Sequence, residues 1–460
     1  MTIFGTLEIG RSALRAQHKG METSGQNVAN ANTPGYSRQR VDMNSVVPAS
    51  APGTEMSPGR GVEVTDVTRI KNEFYHSQMM DTGSRHAHWE KRQETIRSVE
   101  NIMREPGDQG LNQYLGEFFD GWNELSANPE SSEIRNSLQE NAITLTSAVE
   151  DSYERLSDLK AEAENELHAQ VEEINEIAEE IVEINEELDY IHNVGEESNE
   201  LKDHLDLLLE DLSEKIDIRT SFRESGAVNI YAGGQALVQE VGAYEMELGE
   251  NEEGEAAIIT PGGQELNPAS GEVRGTLESF NEIIPGMQED LDEIVETLVE
   301  EINQVHENSY GLNGETGQPF FEPLEEDGDA HSRQFRLSEE IMEDPSLIAA
   351  SSEEGQPGNG QAALEIAGLR DEELINDSTL SDHYRGIISA LGVEGRESER
   401  MAQAMEKAEA QFREQHEAVA GVNMDEEMLD MVQFQHAWQG ASRFLSYVDQ
   451  MIDVLFMELR

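Results

Sequence analysis

Apolar residues between Met424 and Leu459 recur at steps of three and four: Met431, Phe434, Trp438, Ala441, Leu445, Val448, Ile452, Leu455 and Leu459. Two positions in seven therefore fall on one narrow stripe, which predicts a helix burying that stripe against other helices. Asp425, Glu426 and Glu427 open the segment, where negative charge suits the helix dipole. The chain stops at Arg460, and a seam in this position is expected to serve a partner. At the other end Leu7, Leu14, Met21 and Val28 fall at strict sevens and share one helical face, with Gly10, Ala13, Gln17 and Ser24 between them. This stripe is thin, and an isolated helix of its length is marginal in water. Two complementary seams predict that the terminal helices pair with each other or with copies of themselves. Residues 1 to 33 and 424 to 460 are then expected to order only in an assembly.

Between the ends the pattern changes several times. Asn30-Ala31-Asn32-Thr33-Pro34-Gly35-Tyr36 closes the first helix, because the residue before proline leans away from helix and Pro-Gly suits the centre of a turn. Residues 37 to 70 read as extended, with a Pro/Gly-rich loop over 50 to 61 and strand alternation from Gly61 to Ile70. Helices are expected over 71 to 103 and 111 to 126. From Glu133 to Asn193 the stripe continues through Leu138, Ala142, Leu145 and Val149 to Ile174, Ile177, Ile181 and Ile184. Such a helix would reach roughly 90 Å, longer than a compact domain needs, so a rod-shaped module is expected. Helix resumes over 199 to 218. Residues 216 to 275 are Gly-rich and alternating, as in short antiparallel strands turning at Gly233-Gly234 and Pro261-Gly262-Gly263. Helix is expected again over 275 to 309, loop over 311 to 360, and helix over 379 to 420.

The expected fold is mainly α: a long coiled-coil helix bundle with a small antiparallel β subdomain, and terminal helices forming a discontinuous coiled-coil domain. The expected divisions are 1–35, pairing with 424–460; 36–215, a turn and strand segment with the long helices; 216–275, the β subdomain; and 276–423, the return helices and loops.

Composition narrows the function. Hydrophobic residues make up 37% and aromatic residues 6% of 460 residues. No apolar run is long enough to cross a bilayer, so no membrane insertion is expected. The N-terminal residues lack the pattern of a cleaved secretory signal. There is no cysteine, hence no disulfide, thiolate metal site or cysteine nucleophile. Asp and Glu number 96 against 31 Lys and Arg, a formal net charge of -65, which disfavours nucleic acid and anionic lipid as partners. Acidity spread over the whole chain fits a protein built for concentrated salt.

Motifs for chemistry fail on context. Gly358-Asn359-Gly360-Gln361-Ala362-Ala363 imitates a dinucleotide fingerprint, but no strand precedes it. His416-Glu417-Ala418-Val419-Ala420 starts like a zinc-protease helix and has Ala where the second His is required. His86 and His88 are two apart on a helix and diverge. Asp327-Gly328-Asp329 lacks the spacing of a calcium loop. No catalytic residue, metal ligand or cofactor is expected.

One segment is specific. Gly25-Gln26-Asn27-Val28-Ala29-Asn30-Ala31-Asn32-Thr33-Pro34-Gly35-Tyr36-Ser37-Arg38-Gln39 resembles the N-terminal signature of bacterial flagellar axial proteins. Its ending, Pro-Gly-Tyr-Ser-Arg-Gln, is most similar to the hook-associated protein 1, or FlgK, family. Gly271 to Leu277, Ile284-Pro285, Ile302-Asn303, Asp344 to Ala350 and Gly358 to Leu364 also resemble that family. The resemblance implies a structural subunit of the extracellular hook–filament junction, needed for filament assembly. It implies a ring of subunits with the hook protein below and the second hook-associated junction protein above. It further implies export through the flagellar type III apparatus, with an export chaperone on the C-terminal helix. The assembly residues are then Leu7, Leu14, Met21, Val28, Asn30, Pro34, Gly35, Tyr36, Met431, Phe434, Trp438, Leu445, Val448, Ile452, Leu455 and Leu459. Hook or rod proteins share the signature, but the long helix from Glu133 to Asn193 argues against them. An enzyme would need a nucleophile or metal constellation, and an unrelated coiled-coil tether would need neither the Pro-Gly-Tyr turn nor the strands.

The acidity makes a direct prediction. Melting temperature and self-association should both rise between about 0.1 M and about 2 M NaCl, as the Debye length falls from about 10 Å to below about 3 Å. Thermal melts followed by circular dichroism in chloride and sulfate at matched ionic strength test this. A flat response refutes high-salt adaptation, and a strong preference for sulfate points to surface exclusion instead.

Overall fold

The structure, a computed structural model, describes residues 3–46, 60–103, 110–325 and 330–458. The helices are α1 Ile3–Asn30, α2 Glu73–Met103, α3 Leu111–Ala127, α4 Ser132–Asn193, α5 Asn199–Lys215, α6 Glu272–Glu278, α7 Ile284–Glu307, α8 His331–Gln334, α9 Glu339–Glu343, α10 Gln361–Gly368, α11 Leu380–Ala420 and α12 Met424–Glu458. The strands are β1 Gln39–Ser45, β2 Val62–Arg69, β3 Ile218–Phe222, β4 Val228–Ala232, β5 Gln235–Gln239, β6 Gly242–Ala243, β7 Glu247–Glu250, β8 Ala256–Ile259 and β9 Glu265–Leu266. The fold is mainly helical with small antiparallel sheets. The loop expected over 50 to 61 lies largely outside the described residues, as does Asp327-Gly328-Asp329.

Contacts divide the chain into two units. The first comprises Met1–Gly83, Glu176–Tyr244 and Met405–Arg460; the second comprises Ser84–Asn175 and Glu245–Ala404. The helices α2, α4 and α11 have residues in both. The strands between 216 and 275 therefore do not make one subdomain. They form a four-stranded sheet, β3-β4-β5-β6, within the first unit and a three-stranded sheet, β7-β8-β9, within the second.

The second unit has its core where α3, α4 and α7 bury Trp122, Phe118, Leu138, Leu145, Leu291, Val295 and Ile302. The stretch read as loop over 311 to 360 contributes much of it. Phe320, Phe321, Phe335, Leu337, Ile341 and Ile348 are all buried, and the Phe320 ring lies 5.1 Å from that of Trp122. Gly and Pro masked these anchors in the sequence, since the segment has no helical period. Arg135 on α4 is buried beside them and donates to the carbonyls of Pro129 and Ile348. The helix expected over 275 to 309 contains a π-helical turn, Ser279–Ile283. Pro285 at the start of α7 explains it: proline has no N–H and crowds the carbonyl four residues back, so the ladder widens.

Non-helical segments attach to the long helices through asparagine. Asn185 on α4 donates to Val228 O and accepts from Val228 N at 2.9 and 2.8 Å. Asn175 holds Met246 in the same way, and Asn281 holds Ala256. Asn303 on α7 donates to Phe321 O and accepts from Phe320 N and Phe321 N, each at 2.9 Å. Replacing Asn303 by Ala leaves three buried main-chain groups without a partner and should cost about 2–4 kcal/mol, read from urea unfolding. A loss under about 0.5 kcal/mol would show that water replaces the amide.

Candidate functional site

The terminal helices α1 and α12 lie together within the first unit of a single chain. Two glycines set the contact. A Cβ at Gly10 would stand 2.7 Å from Leu445 Cδ1, and one at Gly20 would stand 2.7 Å from the Phe434 ring. As α1 ascends in number α12 descends, so the pair is antiparallel. The buried face of α1 is Gly10, Ala16, Gly20, Thr23, Ser24 and Asn27. It lies beside the expected stripe: Leu7, Leu14, Met21 and Val28 are only half-buried. Small residues bring the backbones close and give the large side chains of α12 somewhere to go. On α12 Val448 is buried, while Met431, Phe434, Ala441, Leu445 and Ile452 are half-buried. Trp438, expected in the seam, remains 37% exposed. Leu459 lies outside the described residues, as does the side chain of Leu455.

The turn after α1 is a junction of three elements. Thr33 N donates to Asn30 O and Tyr36 N to Thr33 O, while the Asn30 amide caps back to Gln26 O. Pro34 is exposed. Gly35 has φ +72°, and a side chain there would collide with Leu207 of α5. Tyr36 Oη donates to Asn27 Oδ1 at 2.9 Å. The same Asn27 donates to Gln39 O and accepts from Gln39 N, fastening β1 to α1. Arg38 then reaches α12: Nε bonds Glu427 at 2.7 Å, and the two terminal nitrogens lie 3.2 Å from Glu426 and 3.8 Å from Asp430. Glu427 is 2% exposed, so this ion pair is shielded and directional. Burial, with Asp203, Glu427 and Glu200 nearby, pushes the Tyr36 hydroxyl up to about 12, so it stays a donor. Asn27 and Arg38 were not picked out as site residues; both stand inside the signature, and their spacing from Gln39 and Glu427 is not a sequence period.

Beneath the turn is an open groove of about 800 Å³, lined by residues 31–37 together with His76, Glu210, Arg413 and His416. Arg69 bonds Asp203 and Asp206 at 2.6 and 3.0 Å, and Lys71 bonds Asp206 at 2.7 Å. His76 is buried, with Nδ1 3.5 Å from Glu210 and its ring 5.6 Å from that of His416. Burial lowers His76 to about 4 and raises Glu210 to about 7. Among the described residues no three His, Asp or Glu side chains are grouped to hold a metal ion. None of the described helices is long and apolar enough to cross a membrane.

A second face of α12 escaped the heptad reading. Leu429, Val432, Tyr447, Met451 and Val454 are exposed on the sides away from α1, with Tyr447 66% exposed, while Phe444 lies at the edge of the contact near Gly10 and is 41% exposed. His436, Gly440 and Arg443 interrupt their spacing and hid the stripe.

This pairing of a glycine-bearing first helix with a two-faced last helix, locked by an Asn-Thr-Pro-Gly-Tyr turn, defines an axial protein of the bacterial flagellum. Residues 96–321 match the model of the flagellar hook-associated protein FlgK helical domain, residues 7–36 that of the flagella basal body rod protein, and residues 415–456 that of the flagellar basal body rod FlgEFG protein C-terminal region. The chain is 27% identical to flagellar hook-associated protein 1 of Bacillus subtilis, over 98% of this chain and 97% of that one. It is 23% identical to flagellar hook-associated protein 1 of Escherichia coli, over 67% of this chain and 58% of that longer relative. The solved structure of the flagellar hook junction protein FlgK from Burkholderia pseudomallei has a similar fold, with a TM-score of 0.66 at 13% identity, covering 75% of this chain and all of that one. The chain belongs to the flagellar hook-associated protein 1 family, structural components of the flagellum at the junction of hook and filament.

The buried His76–Glu210 pair yields a pH prediction. A lowered His contributes stability above its unfolded value near 6.5 and loses it as pH falls through about 4. A raised Glu contributes stability below its unfolded value near 4.5 and loses it as pH rises through about 7. The two slopes oppose each other across the range they share, so the intact pair should be nearly flat there. His76→Gln should unmask stability that falls as pH rises toward 7, and Glu210→Gln stability that falls as pH drops toward 4. Urea melts across this range check it; unchanged slopes in both variants refute the pairing.

Proposed function

We propose that this chain is a ring-forming subunit of the hook–filament junction, with the hook protein on one side and the second hook-associated junction protein on the other. The observation that carries the reading is the uncovered apolar face of α12. A helix that already buries one stripe against α1 and presents Leu429, Val432, Tyr447, Met451 and Val454 to solvent has a surface to spend on neighbours. Before assembly the same face is an aggregation hazard. An export chaperone that takes the helix into a groove removes that hazard, and passage through the flagellar type III apparatus needs no cleaved signal peptide. Residues 1–35 with 424–460 act as the assembly domain, and 36–423 supply the body that carries them. The role is structural: no catalytic step, cofactor, nucleic acid or membrane insertion belongs to it.

The test places charge on the open face. Leu429→Glu with Val454→Glu changes only exposed positions, so helix content by circular dichroism should match the parent chain. Cells carrying the variant in place of the native chain should make hooks without filaments under the electron microscope. Filaments of normal number and length would remove the open face from the proposal, and normal filaments in a deletion strain would remove the function.

A further inference from the structure

The chain has two Asn-Gly pairs, Asn313-Gly314 and Asn359-Gly360, and neither takes part in the terminal-helix site. The second lies in the segment that imitates a dinucleotide fingerprint. Glycine lacks the Cβ that shields a main-chain nitrogen, so each pair sets an unguarded nitrogen beside a side-chain amide. Both asparagines also turn that amide back over the main chain. Glu315 N donates to Asn313 Oδ1 at 2.9 Å, and Gln361 N donates to Asn359 Oδ1 at 2.8 Å. Such a bond holds Cγ near the next nitrogen and polarises its carbonyl, with a donor on the oxygen where charge develops when a nucleophile adds. By sequence and by side-chain geometry the two pairs are equal.

The main chain separates them. Gly314 closes an exposed turn, its N–H donating to Gly311 O at 3.1 Å. Its φ is +80°, and a Cβ there would meet nothing within 4 Å. Asn313, Gly314 and Glu315 are all exposed. Gly360 is wedged against the end of α3, where a Cβ would stand 2.0 Å from Ser126 O, and its carbonyl accepts from Leu364 N in the first turn of α10. Asn359 is half-buried. Swinging the glycine nitrogen onto the side chain therefore breaks one exposed turn bond at 314, whereas at 360 it disturbs the packing of α10 on α3.

We infer that Asn313 is a self-modification site whose co-reactant is water. Gly314 N gives up its proton and bonds to Asn313 Cγ; the Cγ–Nδ2 bond breaks, and the amide nitrogen takes up the proton and leaves as ammonia. Water then adds to one carbonyl of the five-membered imide and breaks one of its two C–N bonds. Breaking the new bond leaves aspartate at 313. Breaking the original peptide bond leaves isoaspartate, with the chain running through the side chain. Either product adds a negative charge to the loop. Aspartate keeps an acceptor for Glu315 N. Isoaspartate lengthens the chain between Gly311 and Glu315 by one carbon, and so separates Gly311 N from Glu315 O, a bond of 2.9 Å before the reaction. This inference is independent of the junction reading.

The test holds the whole folded chain in warm, mildly alkaline buffer, and a second sample in urea concentrated enough to unfold it. Peptides are then sequenced by mass spectrometry, and isoaspartate is labelled with isoaspartyl methyltransferase. In the folded chain residue 313 should become acidic about tenfold faster than residue 359, with isoaspartate among its products, and in urea the two should react alike. Equal rates in the folded chain overturn the inference, and so does an amide at 313 that outlasts the one at 359. A tenfold preference for 313 that persists in urea also overturns it, because neighbouring residues rather than the fold would then do the sorting.

Discussion

The flank of an α-helix has no main-chain donor or acceptor to spare, because each is already bonded along the axis. A strand or loop laid against that flank must therefore find side-chain partners or leave buried polar groups unpaired. Here the partner is asparagine, used the same way in both units. Its amide presents one donor and one acceptor at the spacing of a peptide group, so Asn27, Asn175, Asn185 and Asn281 each bind both main-chain groups of one residue. Asn303 does the same for Phe321 and adds Phe320. Without these clamps the β1 strand, both sheets and the aromatic segment around Phe320 would have no defined register on the helices that carry them.

The clamp at Asn27 connects this constraint to function. It fixes where the chain leaves α1, which fixes the turn through Tyr36, which aims Arg38 at the first turn of α12. The terminal helices are thus positioned from one end by polar groups and held along their length by Gly10 and Gly20 against Leu445 and Phe434. On the reading proposed above, a junction subunit meets its neighbours through these helices, so their angle to one another has to be set before the neighbours arrive.

Much of this was legible in the sequence, and the failures share a cause. The apolar stripe from Leu138 to Ile184 announced α4, and the Pro-Gly-Tyr signature announced the turn and the family. Periodicity sees large apolar residues, so it ranked Leu7, Leu14, Met21 and Val28 above the glycines that carry the α1–α12 contact. It found one face of α12 and missed the other, whose run is broken by His436, Gly440 and Arg443. It took residues 311 to 360 for loop because buried Phe320, Phe321 and Phe335 sit among prolines and glycines with no period. The asparagines were invisible for a related reason. In a helix full of glutamate, Asn175 and Asn185 look like more solvated surface, and only their poor fit to a helix interior could have marked them.

The asparagine clamps bear on how such a part ages. An asparagine loses its amide when the nitrogen of the following residue attacks the side chain, and a glycine in that place makes the attack easy. The five clamp residues are followed by Val28, Glu176, Glu186, Glu282 and Gln304, all with bulky side chains, and all five sit in helices or the adjoining π turn, where that nitrogen is held in a hydrogen-bonded ladder. Conversion to aspartate would erase the donor and set a carboxylate against a main-chain carbonyl. On the extracellular placement proposed above, the subunit is beyond the reach of repair or resynthesis in place, and the durability of its joints rests on which residue stands next to each amide.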